Sequence, residues 1–211
     1  MKLKKNLKWI ILVISLLFFL IIAIKVYHKP AIGIDEVCYN FLSNNIISDS
    51  VTPIIKIITN LGGATILITL TIIFFIIIKN KKIGLCITLN LCFVSLLNFI
   101  MKNIFQRERP SSIRLIEESG YSFPSGHSMA SMAFYGLIIF LIYKYIDNKY
   151  IKFLTIMLFS ILILSIGISR IYLGVHYTTD VCGGFLLSIA YLIIFTSGSK
   201  KYILESVNYE E

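Results

Sequence analysis

Six long runs free of charged residues, rich in Ile, Leu and Phe, constrain this chain more than any other feature. They lie between Lys8 and Lys25, Lys56 and Lys79, and Lys82 and Lys102; from about His127 to Tyr143; between Lys152 and Arg170; and from about Asp180 to Ser199. Each is near the length that a bilayer-spanning helix needs, about 17 to 25 residues, and the shorter ones gain a turn from flanking lysines that snorkel. A single such run could be a buried helix of a soluble protein. Six of them in 211 residues leave too little polar surface to coat a globule, because 57% of the chain is hydrophobic and 15% charged, against about 25% charged in soluble domains. The sequence therefore predicts an all-α integral membrane protein, with six transmembrane helices in one bundle at about 8–25, 57–78, 83–103, 127–144, 152–169 and 179–199. No internal repeat, Pro/Ser linker or low-complexity tail divides it, so residues 1–211 read as a single domain.

The first run follows Lys2, Lys4, Lys5 and Lys8 and could be taken for a signal peptide. Ala23-Ile24-Lys25 puts a lysine where a cleavage site needs a small residue, which favours an uncleaved anchor. Orientation follows from where Lys and Arg fall. With an even number of spans, both termini share a side with the Lys79–Lys82 turn and the Lys144–Lys152 segment, and that side holds 12 of the 20 basic residues. Both termini are expected in the cytoplasm. The membrane-flanking turns account for the net charge of +9, so nucleic acid is not an expected partner. Cys38, Cys86, Cys92 and Cys182 have no metal-ligand spacing and suggest no disulfide framework.

On the opposite, outer side the loops are longer: Val26 to about Pro53, about Phe105 to Ser125, and Arg170 to Thr179. In the first, Ile34, Val37, Cys38, Phe41, Leu42 and Ile46 recur at helical intervals beside Asp35, Glu36, Asn40 and Asn44. That pattern predicts a helix in the interface, either a packing helix that caps the bundle or a lip that guides a lipid head group. Gly62-Gly63, Gly183-Gly184 and the small residues Ser128, Ala130, Ser131 and Ala133 are suited to close helix packing.

Ionisable residues at a membrane boundary are costly, and here they cluster at the outer ends of the spans. Lys102 ends the third span and Arg109-Pro110 follows it. Pro124-Ser125-Gly126-His127 opens the fourth span, Ser169-Arg170 closes the fifth, and His176 and Asp180 begin the sixth. Each alone has a plain explanation, such as a snorkelling lysine or a turn. Together they form a chemical set. Lys102, Arg109 and Arg170 supply three cations from separate elements, and arginine's planar fork matches phosphoryl oxygens. Ser125 and the backbone N–H groups of Gly126 and His127 sit at a helix N-terminus, a natural anion site. His176 and Asp180, four apart, share a face if the sixth helix begins early. The carboxylate then fixes one imidazole nitrogen and frees the other to attack phosphorus. His127 is left to protonate the leaving oxygen.

The motifs Lys102-x6-Arg109-Pro110, Pro124-Ser125-Gly126-His127 and Ser169-Arg170-x5-His176-x3-Asp180 resemble the three signatures of the type 2 phosphatidic acid phosphatases, membrane relatives of the vanadium haloperoxidases. The tract Tyr121–Met129 and the stretch Ser169–Tyr177 look most like the bacterial phosphatidylglycerophosphatase B and undecaprenyl pyrophosphate phosphatase members. The resemblance implies a haloperoxidase-like active-site core and metal-independent hydrolysis without a cofactor. It implies His176 as nucleophile, Asp180 as its partner, His127 as acid, and Lys102, Arg109, Ser125, Gly126 and Arg170 as the phosphate cradle. The expected substrate is a membrane lipid phosphate or diphosphate at the outer face: undecaprenyl diphosphate first, phosphatidylglycerophosphate or phosphatidic acid second. No obligate protein partner is evident. One departure is Thr178, where such bacterial sequences often carry proline; it touches no assigned role.

Other readings fit less well. A Ser-His-Asp acyl hydrolase lacks the strand-turn-helix elbow at Ser125. A metal on His127, His176 and Asp180 would be repelled by Lys102, Arg109 and Arg170. A lipid or anion transporter would place its polar site near the midplane, within repeated halves.

Overall fold

The structure, a computed structural model, describes residues 2–28, 31–111 and 114–199. Among them are eight helices and no strand: α1 Lys2–His28, α2 Gly33–Asn45, α3 Thr52–Asn60, α4 Ala64–Ile77, α5 Lys81–Phe105, α6 Gly126–Tyr145, α7 Lys149–Tyr172 and α8 Thr178–Ser199. The all-α membrane architecture expected from the sequence is what forms, since a helix satisfies its own backbone where no water can.

Five helices, α1, α5, α6, α7 and α8, are each long and apolar enough to cross a membrane. The second expected span, at about 57–78, is not one helix. Its run breaks into α3 and α4, which are bent by 44°. Gly62 and Gly63 sit at the break, and a Cβ added to Gly62 would meet Ile166 Cγ2 of α7 at 2.5 Å, so the chain passes α7 where a side chain would not fit.

The bundle is built around α6. One face of α6 packs Phe134 and Leu137 with Leu67 of α4 and Ile166 of α7. The other packs Met129 and Ala133 with Val94 of α5, Leu187 of α8 and Phe19 of α1. Burying such side chains contributes about 1.5–3 kcal/mol each where water is the alternative; within lipid the gain comes from close packing instead. The outer faces of α1, α4 and α7 expose Ile, Leu and Phe, the surface that lipid covers.

Two features orient the bundle. At one end Lys8 Nζ donates to Ser197 Oγ at 2.9 Å, pairing the start of α1 with the end of α8. At the other end a third apolar cluster joins Leu42 of α2 to Tyr172, Leu173, Val175 and Val181. The helix expected in the first outer loop is α2. It buries Asp35 and Leu42 and leaves Ile34, Val37 and Phe41 exposed, so it packs on the bundle and still presents an apolar face outward.

Candidate active site

Every motif residue emerges at the end of the bundle where α2 lies. Three local devices bring them there. Gln106, just after α5, adopts a left-handed φ of 45° and its N–H bonds to Lys102 O at 2.9 Å. The chain thus leaves the helix sharply and turns Arg107 and Arg109 back over the bundle. Ser125 caps α6, its Oγ accepting from Ser128 N. This leaves the first N–H groups of α6, at Gly126 and His127, outside the helix's own bonding. After α7, Gly174 takes a φ of 70°, a conformation that favours glycine. The turn it makes lets His176 N bond to Arg170 O at 3.3 Å.

The result differs from the sequence expectation in one respect. Helix α8 begins at Thr178, so His176 stands in the preceding turn rather than on the helix. It still reaches Asp180: the carboxylate accepts from Tyr177 N at 2.8 Å and from His176 Nδ1 at 3.3 Å. On the other side of the ring, Arg109 Nη1 lies 3.1 Å from Nε2. Arginine can only donate and the carboxylate accepts, so the ring carries its proton on Nδ1 and its lone pair on Nε2. Burial pushes the His176 pKa down to about 4, outweighing the hydrogen bond and charge of Asp180 that raise it. The imidazole is therefore neutral near pH 7.

Arg109 is held by backbone carbonyls: Nε by Gly120 at 3.0 Å, Nη1 by Val175 at 2.9 Å and Nη2 by Ser119 at 2.8 Å. Burial lowers its pKa, against the opposing charges of Glu118 and Asp180. Arg170 is almost wholly buried; Nη1 donates to Thr59 Oγ1 at 2.7 Å, and Nε has no hydrogen-bond partner among the described residues. Lys102, on the last turn of α5, lies within electrostatic reach of Arg109, Arg170, Glu118 and Asp180. The His127 ring lies within reach of Arg170, Glu118, His176 and Lys102. A Cβ on Gly63 would stand 3.7 Å from His127 Nε2, so the α3–α4 break borders this ring. A cleft of about 240 Å³ opens beside it, where Ser95, Asn98, Gly126 and His127 join apolar residues of α4, α5 and α6.

The structure thus brings Lys102, Arg109, Ser125, Gly126, His127, Arg170, His176 and Asp180 to one place. It adds residues that the motifs do not contain. Arg107 Nη1 donates to Asp180 Oδ1 at 2.6 Å, and Ser122 Oγ to Oδ2. Glu118 accepts from Arg170. Its carboxyl, pushed up by burial, is pulled further down by the charge and hydrogen bond of Arg170 with His127 and Arg109, and ends below the usual range. Asn98 Nδ2 holds Pro124 O at 3.0 Å. Arg107 had a visible signal, a second arginine beside Arg109. Glu118 and Asp35 had none, because their partners lie 52 to 144 positions away.

A neutral imidazole between a carboxylate and a guanidinium, with two further cations and a helix N-terminus, is an arrangement that can receive a phosphoryl group. Residues 83–203 match the PAP2 superfamily. The chain is 34% identical over 178 residues to phosphatidylglycerophosphatase B of Bacillus subtilis (strain 168), covering 82% of this chain and 87% of that protein. It is 24% identical over 190 residues to undecaprenyl-diphosphatase of Sulfolobus acidocaldarius, covering 87% of each. It superposes with a TM-score of 0.82, at 31% identity, on the crystal structure of a transmembrane PAP2-type phosphatidylglycerolphosphate phosphatase from Bacillus subtilis, covering 90% of this chain and 96% of that one. The chain belongs to the PAP2 superfamily and is a multi-pass membrane lipid phosphatase.

Proposed function

We propose that this phosphatase transfers the phosphoryl group of a membrane lipid to His176 at the outer face of the membrane, and that water then hydrolyses the phosphohistidine. The observation that carries this reading is the clamped imidazole of His176, whose Nε2 lone pair points at Arg109 while Nδ1 faces Asp180. Nε2 attacks phosphorus, the bond from phosphorus to the leaving oxygen breaks, and His127 acts as the general acid that delivers a proton to that oxygen. Water then attacks phosphorus, His127 takes the water's proton, and the P–N bond breaks to release inorganic phosphate and restore His176. Lys102, Arg109 and Arg170 stabilise the charge on the phosphoryl oxygens, with Ser125 and the N–H groups of Gly126 and His127. Side-chain cations supply this charge, so turnover persists in EDTA.

The outer location rests on the excess of basic residues at the end of the bundle opposite the site. Of the two leading substrates, phosphatidylglycerophosphate is better supported than undecaprenyl diphosphate, reversing the order expected from sequence. The 34% relative is a phosphatidylglycerophosphatase, and among the described residues the cleft beside His127 is lined by no Asp, Glu, Lys or Arg. A diphosphate would put its second phosphate on that leaving side. A higher kcat/KM for polyprenyl diphosphate than for phosphatidylglycerophosphate would restore the original order.

The mechanism is tested by rapid acid-free quench of the purified enzyme with labelled substrate. Acid-labile, base-stable phosphate is expected on His176. Phosphate mapping to Ser125, or turnover surviving in His176→Ala, overturns it.

A further inference from the structure

Behind the His176–Asp180 pair lies a second carboxylate that no motif contains. Arg107 is buried, with its guanidinium 4.0 Å from the centre of the Tyr177 ring. Its two terminal nitrogens serve two acids: Nη1 donates to Asp180 Oδ1 at 2.6 Å and Nη2 to Asp35 Oδ2 at 2.9 Å. The side chains of both acids are 0% exposed. Asp35 belongs to α2, outside the set of helices that span the membrane, and it also accepts from Thr179 N at 2.8 Å and Thr179 Oγ1 at 3.0 Å in the first turn of α8.

The charge count gives this arrangement meaning. Attack by Nε2 while Nδ1 keeps its proton places a positive charge on the imidazole, and Asp180 is the adjacent anion that stabilises it. In a water-poor interior neighbouring charges are weakly screened. Arg107 paired with Asp180 alone would cancel the carboxylate that the imidazole needs. With Asp35 on its other nitrogen, Arg107 is shared, and the trio keeps a net charge of about −1 next to His176. Arg107 still fixes the Asp180 carboxylate in place, alongside Ser122 and Tyr177 N.

We infer that Asp35 and Arg107 are positioning residues for the phosphoryl transfer: Arg107 orients Asp180, and Asp35 offsets the charge of Arg107 so that Asp180 stays anionic toward His176. Helix α2 thereby contributes a charge to the reaction as well as a packing surface. This rests on His176 and Asp180 being the reacting pair, as proposed above.

The test compares Asp35→Asn, Arg107→Gln and the double variant in full-length enzyme purified in detergent, with phosphatidylglycerophosphate as substrate. Asn keeps the shape and much of the bonding of Asp35. In Asp35→Asn, kcat and the rate of phosphoenzyme formation are expected to fall about tenfold, the scale of coupling between neighbouring buried groups, with KM nearly unchanged. Arg107→Gln leaves two buried carboxylates facing each other and is expected to be the poorest of the three. The double variant, which restores the charge balance, is expected to recover several-fold in kcat over Asp35→Asn. A residue that only caps helices gives the opposite pattern, with kcat kept in the folded fraction of Asp35→Asn and the double variant no better; that result overturns the inference. If Asp35→Asn is not recovered folded, Asp35→Glu, which displaces the charge by one methylene, takes its place. A kcat loss at constant KM supports the inference there, and an unchanged kcat overturns it. Wild-type enzyme that forms no phosphohistidine refutes the mechanism and the inference together. Wild-type enzyme that forms it, beside an Asp35→Asn variant that forms it equally fast, refutes the inference alone.

Discussion

The carboxylate of Glu118 lies on the guanidinium of Arg170, bonded through Oε1, while its other oxygen stands 3.7 Å from Arg109 Nη2. Two carboxylate oxygens thus bridge the two guanidinium groups assigned to phosphate, in the manner that two phosphoryl oxygens would. On the proposed assignment, an incoming phosphate would compete with a resident anion on the loop between Arg109 and Pro124. Glu118→Gln is expected to tighten competitive inhibition by orthovanadate about fivefold, a scale suited to an ion pair still a quarter exposed. Weaker inhibition in the variant would show that Glu118 instead holds Arg170 in place.

The two motif histidines are expected to fail differently. His176→Ala removes the proposed nucleophile, so activity should drop to background for every substrate. His127→Ala removes the proposed proton donor, with an expected loss of about 10² to 10⁴-fold that depends on the leaving group. A nitrophenyl phosphate, whose leaving group needs no proton, should recover part of the rate in His127→Ala only. Equal recovery in both variants would contradict the separate roles.

Stability should depend on pH through His176. Its folded pKa is about 4 against an ordinary 6.5. Between these values the unfolded chain binds a proton there and the native chain does not, so stability rises with pH across the window. It is fully present above about pH 6.5 and lost as pH falls toward 4. The thermal midpoint in detergent is expected to fall over that range, with a shallower slope in His176→Gln. Parallel slopes in the two proteins would assign the effect elsewhere.

Orientation can be measured without activity. A cysteine at Ser119, an exposed position in the loop over the site, should react in intact cells with a membrane-impermeant thiol reagent. Labelling only after lysis would place the site in the cytoplasm.

Helices α1 and α5 to α8 were legible in the sequence because long apolar runs admit one solution in lipid, a helix that satisfies its own backbone. The motif residues were legible because the chemistry of phosphate requires cations and an imidazole at fixed short spacings, and His176 with Asp180 or Lys102 with Arg109 are such local pairs. The break between α3 and α4 was not legible. Hydropathy sees one run there, and only the approach of α7 to Gly62 explains the bend. Nor could the sequence reveal that α2 sends Asp35 to Arg107, or that Glu118 rests on Arg170. Those partners are 72 and 52 residues apart, and a buried charge takes whichever opposite charge the packing of helices brings near. The sequence by itself determined that the chain is a membrane bundle carrying phosphate chemistry at one end. Tertiary structure alone decided which carboxylates set the charge of that site, because ion pairing depends on distance in space and leaves no period along the chain.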